Sequence, residues 1–241
     1  MADPKRPYNP LDRMELGKSV ERALLAQPLT PLSAFTVRGR RKFEGAGLYA
    51  LYYTGNVPYY KPIAPPQRSA GEVPIYVGQA RPKGARQGAL GLSPTTEHPA
   101  LFERLREHAN SIRAVERYPD GTDELSLRLV DFQCRYLVAD DIWVPLGEAL
   151  LIGHYRPLWN IYVDGFGNHA AGVGRKDQAR STWDTLHPGR DWAFKHKATR
   201  TRHEIELGIN ERLGRMVEAD LDSQPDIDEE VQRALASNAD I

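Results

Sequence analysis

The stretch Gly47–Tyr53, GLYALYY, decides the fold, together with PIYVGQA at residues 74–80. GLYALYY is apolar or aromatic throughout and is bounded by glycines, a pattern typical of a buried strand. Alternation along that strand puts the odd-numbered residues 49–53 on one face and the even-numbered residues 48–52 on the other. Residues 73–77 form a second predicted strand, in which Pro74 favours an edge position or a strand start because proline cannot donate to a ladder. We therefore predict an antiparallel pair joined by a long connection.

The flanking sequence supplies a third strand and several helices. Residues 99–117 carry apolar residues on one helical stripe, and His108 occupies the remaining slot of that stripe. Residues 125–138 alternate as a strand, with a change of phase near Val130 that indicates a break. Helical periodicity also predicts helices within residues 10–26, 145–156 and 204–218. The expected fold is α/β of the α+β kind, with a central three-stranded antiparallel sheet flanked by helices.

Shifts in composition divide the chain into four expected parts. Residues 1–44 form an N-terminal extension with one helix and a basic cluster, and residues 45–164 hold the core. Residues 165–203 are rich in glycine, basic and aromatic residues, and residues 204–241 form an acidic tail. The tail has 11 acidic and 3 basic residues, so the formally neutral chain combines a basic body with an acidic end. Such a body indicates a polyanion partner, although a solvated surface with a solubilising tail gives the same count.

The composition, 41% hydrophobic and 27% charged residues in 241, is that of an ordinary globular protein. It excludes collagen-like and low-complexity chains, and no apolar run approaches the ~18 residues of a transmembrane helix. The first ten residues lack the apolar core of a signal peptide, which favours a cytoplasmic location without membrane association. Cys134 is the only cysteine, so an internal disulfide and a multi-thiolate zinc site are both excluded.

Three polar side chains are expected to point into apolar packing: His108, Glu148 and a tyrosine, either Tyr49 or Tyr76. A single buried polar residue is usually a hydrogen-bonded part of the core, but several titratable groups aimed at one small sheet indicate a site. The set suits phosphodiester hydrolysis, in which a water is deprotonated and a phosphate is stabilised. Arg104, one helical turn before His108, would fork onto the phosphate, and Glu148 would hold a Mg²⁺ ion. A tyrosine could act as base only if its pKa, ordinarily about 10, were lowered, with His108 taking the proton onward.

These residues also resemble a known family. Gly47-Leu48-Tyr49 followed by Tyr76-Val77-Gly78 is similar to the paired motif of the GIY-YIG nuclease superfamily, in the form GLY…YVG. The strings GAGLYALYYTG, PIYVGQA, PLWN, DGFGNH and WDTLHPGR resemble the type II restriction endonucleases of that superfamily. The resemblance covers roughly residues 43–195. It implies the small GIY-YIG sandwich built on a three-stranded antiparallel sheet.

The resemblance implies a role for each candidate residue. Tyr49 resembles the motif tyrosine that acts as, or activates, the general base, and Tyr76 resembles the second tyrosine, which contacts the nucleophilic water or the phosphate. Arg104 would stabilise the phosphate, and His108 stands where this branch has a histidine. Glu148 would bind the single Mg²⁺ or Mn²⁺ ion of each active site.

Two further positions bear on the resemblance. Asn160 would brace the site by hydrogen bonding. Gln79 follows Gly78 where close relatives can carry a lysine, so the positive charge that would help a tyrosine to ionise is missing at that position. Arg81 and Lys83 are the candidates to supply it.

The resemblance implies double-stranded DNA as the partner, and residues 165–203 are the expected contact segment. Arginine reads guanine with two hydrogen bonds, and glycines permit close approach of the backbone. The basic cluster at residues 38–42 would either clamp the DNA backbone or form an exposed linker. The predicted DNA-binding residues are Arg175, Lys176, Arg180, Arg190, Arg40 and Arg41.

The resulting expectation is a Mg²⁺-dependent restriction endonuclease that cuts a palindrome as a homodimer, since one active site cuts one strand. Similar enzymes of this branch cut CCGCGG, which carries over as one candidate target, and a cognate DNA methyltransferase would belong to the same bacterial system. Two alternatives stay open: a GIY-YIG nuclease of repair or homing type, and a non-catalytic DNA-binding protein on the same scaffold. The first usually carries a separate DNA-binding module, of which the sequence shows no metal-finger or helix-turn-helix pattern. The second has no need of the candidate catalytic residues.

Overall fold

The computed structural model of the protein describes residues 13–39, 41–82, 98–118, 126–168 and 178–219. Residue 13 and residues 216–219 are described by their backbone alone. Three predicted DNA-binding residues, Arg40, Arg175 and Lys176, lie outside the described residues, as do Lys83 and residues 220–241 of the acidic tail. In the part of the chain that is described, no helix is both long and apolar enough to cross a membrane.

In chain order, helical segments separate the described strands of one sheet, and only helical segments follow the last described strand. The helices are α1 (Arg13–Leu25), α2 (Ala100–Glu116), α3 (Val144–Tyr155), α4 (Leu158–Ile161), α5 (Thr182–Leu186) and α6 (Arg202–Ala219). The strands are β1 (Thr30–Pro31), β2 (Gly47–Tyr53), β3 (Tyr76–Ala80) and β4 (Phe132–Val138). Short 3-10 helices lie at Leu32–Thr36, Pro58–Ile63, Leu129–Asp131 and Asp191–Lys195.

The strands form an antiparallel sheet in the order β1-β4-β2-β3. β2 has the predicted bounds and is hydrogen-bonded on both sides, with Tyr49 opposite Tyr136 of β4 and opposite Gly78 of β3. β3 lies at an edge, as Pro74 predicted. It begins at Tyr76 rather than at residue 73, because Pro74 has no N–H to donate to a ladder.

The prediction of three strands was incomplete, because the sheet has a fourth strand. β1 pairs with β4, with Thr30 opposite Cys134. Two residues are too few to show the alternation that marks a strand, so no sequence pattern indicated β1. β4 itself follows the 3-10 turn at Leu129–Asp131, which is the break that the change of phase near Val130 predicted.

Helices cover both faces of the sheet, and all seven residues of β2 are buried for that reason. The odd-numbered residues Tyr49, Leu51 and Tyr53 pack with α2 in the larger core cluster, as the alternation predicted. The even-numbered residues of β2 pack in a second cluster with α1 and α3. The predicted stripe of α2 is also found, since its buried residues include Leu101, Leu105, His108, Ile112 and Val115.

The C-terminal part of the described chain packs into the larger core cluster. Trp183 and Leu186 of α5 share that cluster with Ile205 and Ile209 of α6. The core therefore continues across the boundaries expected after residues 164 and 203. The helix predicted at 204–218 is α6, which is slightly longer than expected.

Candidate active site

A tyrosine–histidine pair forms the centre of the candidate site. Tyr49 lies on the central strand with no exposed surface, and its Oη is 2.6 Å from Nε2 of His108 on α2. Gly78 lies directly opposite Tyr49 on β3, and a Cβ at that position would collide with the Tyr49 Oη. The second glycine of the paired motif is thus required because the phenol of the first half lies across it.

The second motif tyrosine joins this pair from the start of β3. The Tyr76 ring lies 6.2 Å from the Tyr49 ring and 5.4 Å from the His108 ring, measured between centroids. Burial raises the pKa of both tyrosines, and it raises that of Tyr49 well above the ordinary value. Neither phenol is therefore ionised in the resting site at neutral pH.

Arg104 brings a positive charge to the two phenols. Its Nη2 donates to the Gly167 carbonyl at 2.7 Å, and its Nη1 donates to Oε2 of Glu107 at 3.0 Å. The guanidinium opposes the effect of burial by lowering the pKa of Tyr49 and of Tyr76, and it also hydrogen-bonds Tyr49. The residue predicted to bind phosphate therefore lies within electrostatic reach of the candidate base.

Glu148 lies on α3, which packs on the face of the sheet opposite α2, and its charge acts on both tyrosines. The residue is 7% exposed, and burial raises the pKa of its carboxyl group to about 7, although Gln79 hydrogen bonds and the Arg104 charge oppose the rise. The Glu148 charge in turn contributes to the raised pKa of Tyr49 and Tyr76. The four predicted groups, a phenol, an imidazole, a guanidinium and a carboxylate, thus converge on one site.

One oxygen of this carboxyl group suits a cation. Glu148 Oε2 is buried and has no hydrogen-bond partner among the described residues. A buried carboxylate oxygen without a partner is costly, and a divalent ion would satisfy it. Within the described ranges, no cluster of three or more His, Cys, Asp or Glu side chains could hold a metal ion by itself. A single carboxylate suits Mg²⁺, which keeps most of its waters and takes phosphate oxygens as further ligands.

Asn160 acts on the sheet edge. Its Oδ1 accepts from the Val77 N–H and its Nδ2 donates to the Val77 carbonyl, both at 2.8 Å. The amide thereby replaces a neighbouring strand between Tyr76 and Gly78. Gln79 hydrogen-bonds Glu148 from its side chain and its backbone, and Arg81 adds positive charge near that carboxyl group.

The predicted DNA-binding arginines fall into different environments. Arg41 is exposed. Arg180 is half-buried, and its Nε and Nη2 donate to the carbonyls of Ala193, Phe194 and His196. Its described contacts therefore lie within the protein.

The burial of Arg190 contradicts the prediction that this side chain contacts DNA. It is 6% exposed, and its Nε donates to Asp184 Oδ1 at 2.6 Å. A guanidinium that is buried and ion-paired cannot reach a base edge without unpacking, so we withdraw Arg190 from the predicted DNA contacts.

Sequence reasoning missed one part of the site, the short loop after α4. The Phe166 ring stacks on the His108 imidazole, with centroids 4.4 Å apart and an interplanar angle of 17°. The neighbouring Gly167 carbonyl holds Arg104, and a Cβ at Gly167 would lie 2.8 Å from the Tyr76 Oη. The string DGFGNH contains both residues, but no periodicity connects them to α2.

A second tyrosine–histidine pair lies in the same core cluster. Tyr60 Oη is 2.7 Å from His187 Nε2, and the Trp159 indole donates to the same Tyr60 Oη at 2.9 Å. Both Tyr60 and His187 are fully buried. This pair has the packing expected of a structural histidine.

Comparison with known proteins places these residues in a family. The family model described as the Eco29kI GIY-YIG domain matches residues 41–213, which is more than half of the chain and includes the six predicted catalytic residues. A search of the curated proteins gives no match. The matched range also includes the loop at Phe166 and the pair formed by Asp184 and Arg190. The family is one of restriction-type nucleases, and the chain belongs to this Eco29kI GIY-YIG family.

Proposed function

We propose that the protein is a site-specific type II restriction endonuclease that hydrolyses phosphodiester bonds of double-stranded DNA in the presence of Mg²⁺ or Mn²⁺. One observation carries this proposal. The 2.6 Å Tyr49–His108 bond lies within electrostatic reach of Arg104 and Glu148 and thus joins a proton acceptor, a phosphate ligand and a metal ligand. Membership of a restriction-type nuclease family supports it.

The proton path follows from the raised pKa of Tyr49. A free phenolate would be costly in this buried position, so Tyr49 does not lose its proton in advance. The short bond allows Tyr49 to give its proton to His108 Nε2 while its oxygen takes the proton of the attacking water. His108 is then the final acceptor, and Tyr49 is neutral before and after the transfer. Tyr76, beside both rings, would contact the water or the phosphate.

Different residues would hold the phosphate and the metal ion. Arg104 presents a guanidinium whose orientation is set by Gly167 and Glu107, and a guanidinium can donate two hydrogen bonds to a phosphate. Glu148 would bind one ion per active site through its unpartnered Oε2. When bound, the ion supplies positive charge to the scissile phosphate and to the leaving oxygen.

The partner chemistry extends this proposal. We expect a homodimer on DNA, because two copies related by a two-fold axis cut both strands of a palindrome. A G/C-rich palindrome such as CCGCGG is the candidate target, with Arg41 among the contacts to the DNA. A cognate methyltransferase would protect the host DNA, and the enzyme would act in the bacterial cytoplasm.

Digestion of plasmid and phage DNA with and without Mg²⁺ tests the proposal. We expect discrete fragments with Mg²⁺ or Mn²⁺ and intact DNA with EDTA. Glu148→Gln removes the charge and keeps the shape, so it should abolish cleavage and preserve DNA binding. Glu72→Gln, the same change at an exposed carboxylate in the connection before β3, should cut normally.

Other outcomes identify the alternatives. Nicks or a smear would indicate a repair or homing type of nuclease, and DNA that is bound and stays intact would indicate a binding protein. Undiminished cutting by Glu148→Gln would contradict the metal assignment. Sedimentation on the target duplex should show two chains per duplex, and one chain at saturation would contradict the dimer.

A further inference from the structure

The loop at residues 165–168 touches two candidate catalytic side chains at once. Phe166 stacks on the His108 imidazole with ring centroids 4.4 Å apart. The Gly167 carbonyl accepts from Arg104 Nη2 at 2.7 Å. The loop therefore contacts both the imidazole and the guanidinium of the candidate site.

The buried side chain of Arg190 hydrogen-bonds the backbone of this loop. Arg190 Nη2 donates to the Gly165 carbonyl at 2.8 Å, and Nη1 donates to the carbonyls of Phe166 and Asn168, both at 3.1 Å. Three of the four carbonyls of the loop thus converge on one guanidinium. The fourth, that of Gly167, is left to face Arg104.

Arg190 is itself fixed in orientation. Its Nε donates to Asp184 Oδ1 at 2.6 Å, and Ser181 Oγ donates to the other oxygen of that carboxylate at 2.6 Å. The guanidinium also lies over the rings of Trp183 and Trp192, at 4.5 and 4.8 Å from their centroids. Burial of an ion pair is costly and contributes little net stability, so its presence here calls for an explanation beyond stability.

Loop 165–168 is packed so closely that its backbone has little room to move. Gly165 has a φ of +94°, and a Cβ at that position would collide with Ser181. A Cβ at Gly167 would lie 2.8 Å from the Tyr76 Oη and 3.1 Å from Arg104 Nη2. A shift of about 1 Å in this loop would therefore alter the site, and displacements of that size can cost catalysis about 100-fold.

We propose that Arg190, together with Asp184, is a positioning residue of the candidate active site: it holds loop 165–168 so that Phe166 fixes the His108 ring and the Gly167 carbonyl orients Arg104. The effect of this role on the cleavage rate rests on the proposed nuclease function, whereas its effect on the His108 ring does not. Lysine cannot replace arginine here, because one ammonium cannot serve three loop carbonyls and a carboxylate in a planar fork.

The structural part is tested by NMR of the whole chain with labelled histidines. The stacked Phe166 ring shields the His108 ring protons, whose resonance is assigned by its loss in His108→Gln. In Arg190→Lys we expect this resonance to move downfield as the stack opens. Arg135→Lys is the matched control, since Arg135 also donates to two backbone carbonyls and lies over an aromatic ring, but on the other side of the sheet. There the resonance should not move.

The kinetic part separates positioning from DNA contact. Under single turnover, well below the melting temperature, Arg190→Lys should cut about 10- to 100-fold more slowly, with its Kd for target DNA in EDTA unchanged within twofold. Arg135→Lys should cut at the normal rate. Weaker DNA binding by Arg190→Lys with an unmoved His108 resonance would refute the positioning role and restore the predicted DNA contact. An unmoved resonance with an undiminished rate would refute the role outright.

Phe166→Leu keeps the test decisive if Arg190→Lys does not fold. It removes the stacked ring and keeps the backbone carbonyls, so His108 should lose its shielding and the cleavage rate should fall about tenfold. A full rate in Phe166→Leu would overturn the proposal. If the wild-type chain cuts no DNA, the proposed function fails, whereas the His108 resonance still decides whether Arg190 positions the loop.

Discussion

In the described part of the chain, two buried tyrosine–histidine pairs have almost the same geometry. The Tyr49 Oη lies 2.6 Å from His108 Nε2, and the Tyr60 Oη lies 2.7 Å from His187 Nε2. Each phenol is fully buried, each pKa is raised well above its ordinary value by burial, and each pair belongs to the larger core cluster or is buried against it. Distance and burial therefore do not tell the two pairs apart.

Their surroundings differ in charge. Arg104 and Glu148 both act on Tyr49, and Tyr76 lies beside it. Around Tyr60 the neighbours are Trp159, Tyr59 and Tyr53, and the charge that reaches it is that of Arg202. A tyrosine–histidine bond is thus a shared structural unit. The carboxylate that acts on Tyr49, which Tyr60 lacks among its described neighbours, is what would suit the first pair to the proposed catalysis.

Tyr49→Phe should have the largest effect. Removal of the hydroxyl breaks the proposed proton path, and loss of a general base typically costs 10²- to 10⁴-fold in rate. The measurement is the single-turnover cleavage rate, with circular dichroism to confirm the fold. A variant that retains more than a tenth of the wild-type rate would exclude Tyr49 from the proton path.

Tyr60→Phe should change stability and spare activity. It leaves the Trp159 N–H and the His187 Nε2 buried without their partner, which should cost about 2 kcal/mol of unfolding free energy. Denaturant unfolding measures this loss. The cleavage rate below the melting temperature should stay within twofold of wild type, and a tenfold fall would show that the second pair also serves the reaction.

Periodic elements of the fold could be predicted from the sequence, including the two faces of β2 and the buried stripe of α2. The same periodicity placed His108 and Glu148 in packed positions, and both are buried. β1 could not be found because its two residues have no period. These limits are set by the length of each element.

Contacts between side chains that are far apart in the chain could not be predicted from the sequence. Arg190 appeared surface-like because arginine is rarely buried, and nothing in the sequence marks Asp184 as its partner. Phe166 likewise meets His108 through tertiary packing and follows no helical or strand spacing. The packed positions of His108, Glu148 and a tyrosine already indicated a site on one sheet, and the resemblance to a family supplied which tyrosine belongs to it and the role of each residue.

The pH dependence of stability should reveal the second histidine. Burial, and to a lesser extent the Arg202 charge, lowers the pKa of His187 well below its ordinary value of 6.5. Below pH 6.5 the unfolded chain takes up a proton at His187 and the folded chain does not. The contribution of His187 to the free energy of unfolding is therefore complete above pH 6.5 and falls by about 1.4 kcal/mol per pH unit below it.

His187→Gln isolates this contribution, because glutamine can keep a hydrogen bond to Tyr60 without titrating. Between pH 7.5 and 5.5 the wild type should lose about 1.4 kcal/mol more unfolding free energy than the variant. All other titrating groups are common to both chains and cancel in the difference. Parallel stability curves for the two proteins would show that His187 is protonated in the folded state.

Arg202→Gln should have the smallest effect and sharpens the comparison furthest. If burial dominates at His187, removal of this charge raises the folded-state pKa only slightly and leaves it well below the ordinary value of 6.5. The slope of stability between pH 6.5 and 5.5 depends on the unfolded chain alone in that range, so it should not change. Loss of the Arg202–Glu206 ion pair would shift the whole curve by a few tenths of a kcal/mol without tilting it. A shallower slope would mean that the Arg202 charge, and not burial, holds the pKa of His187 down, and the second pair would then depend on a neighbouring cation in the way proposed for the first.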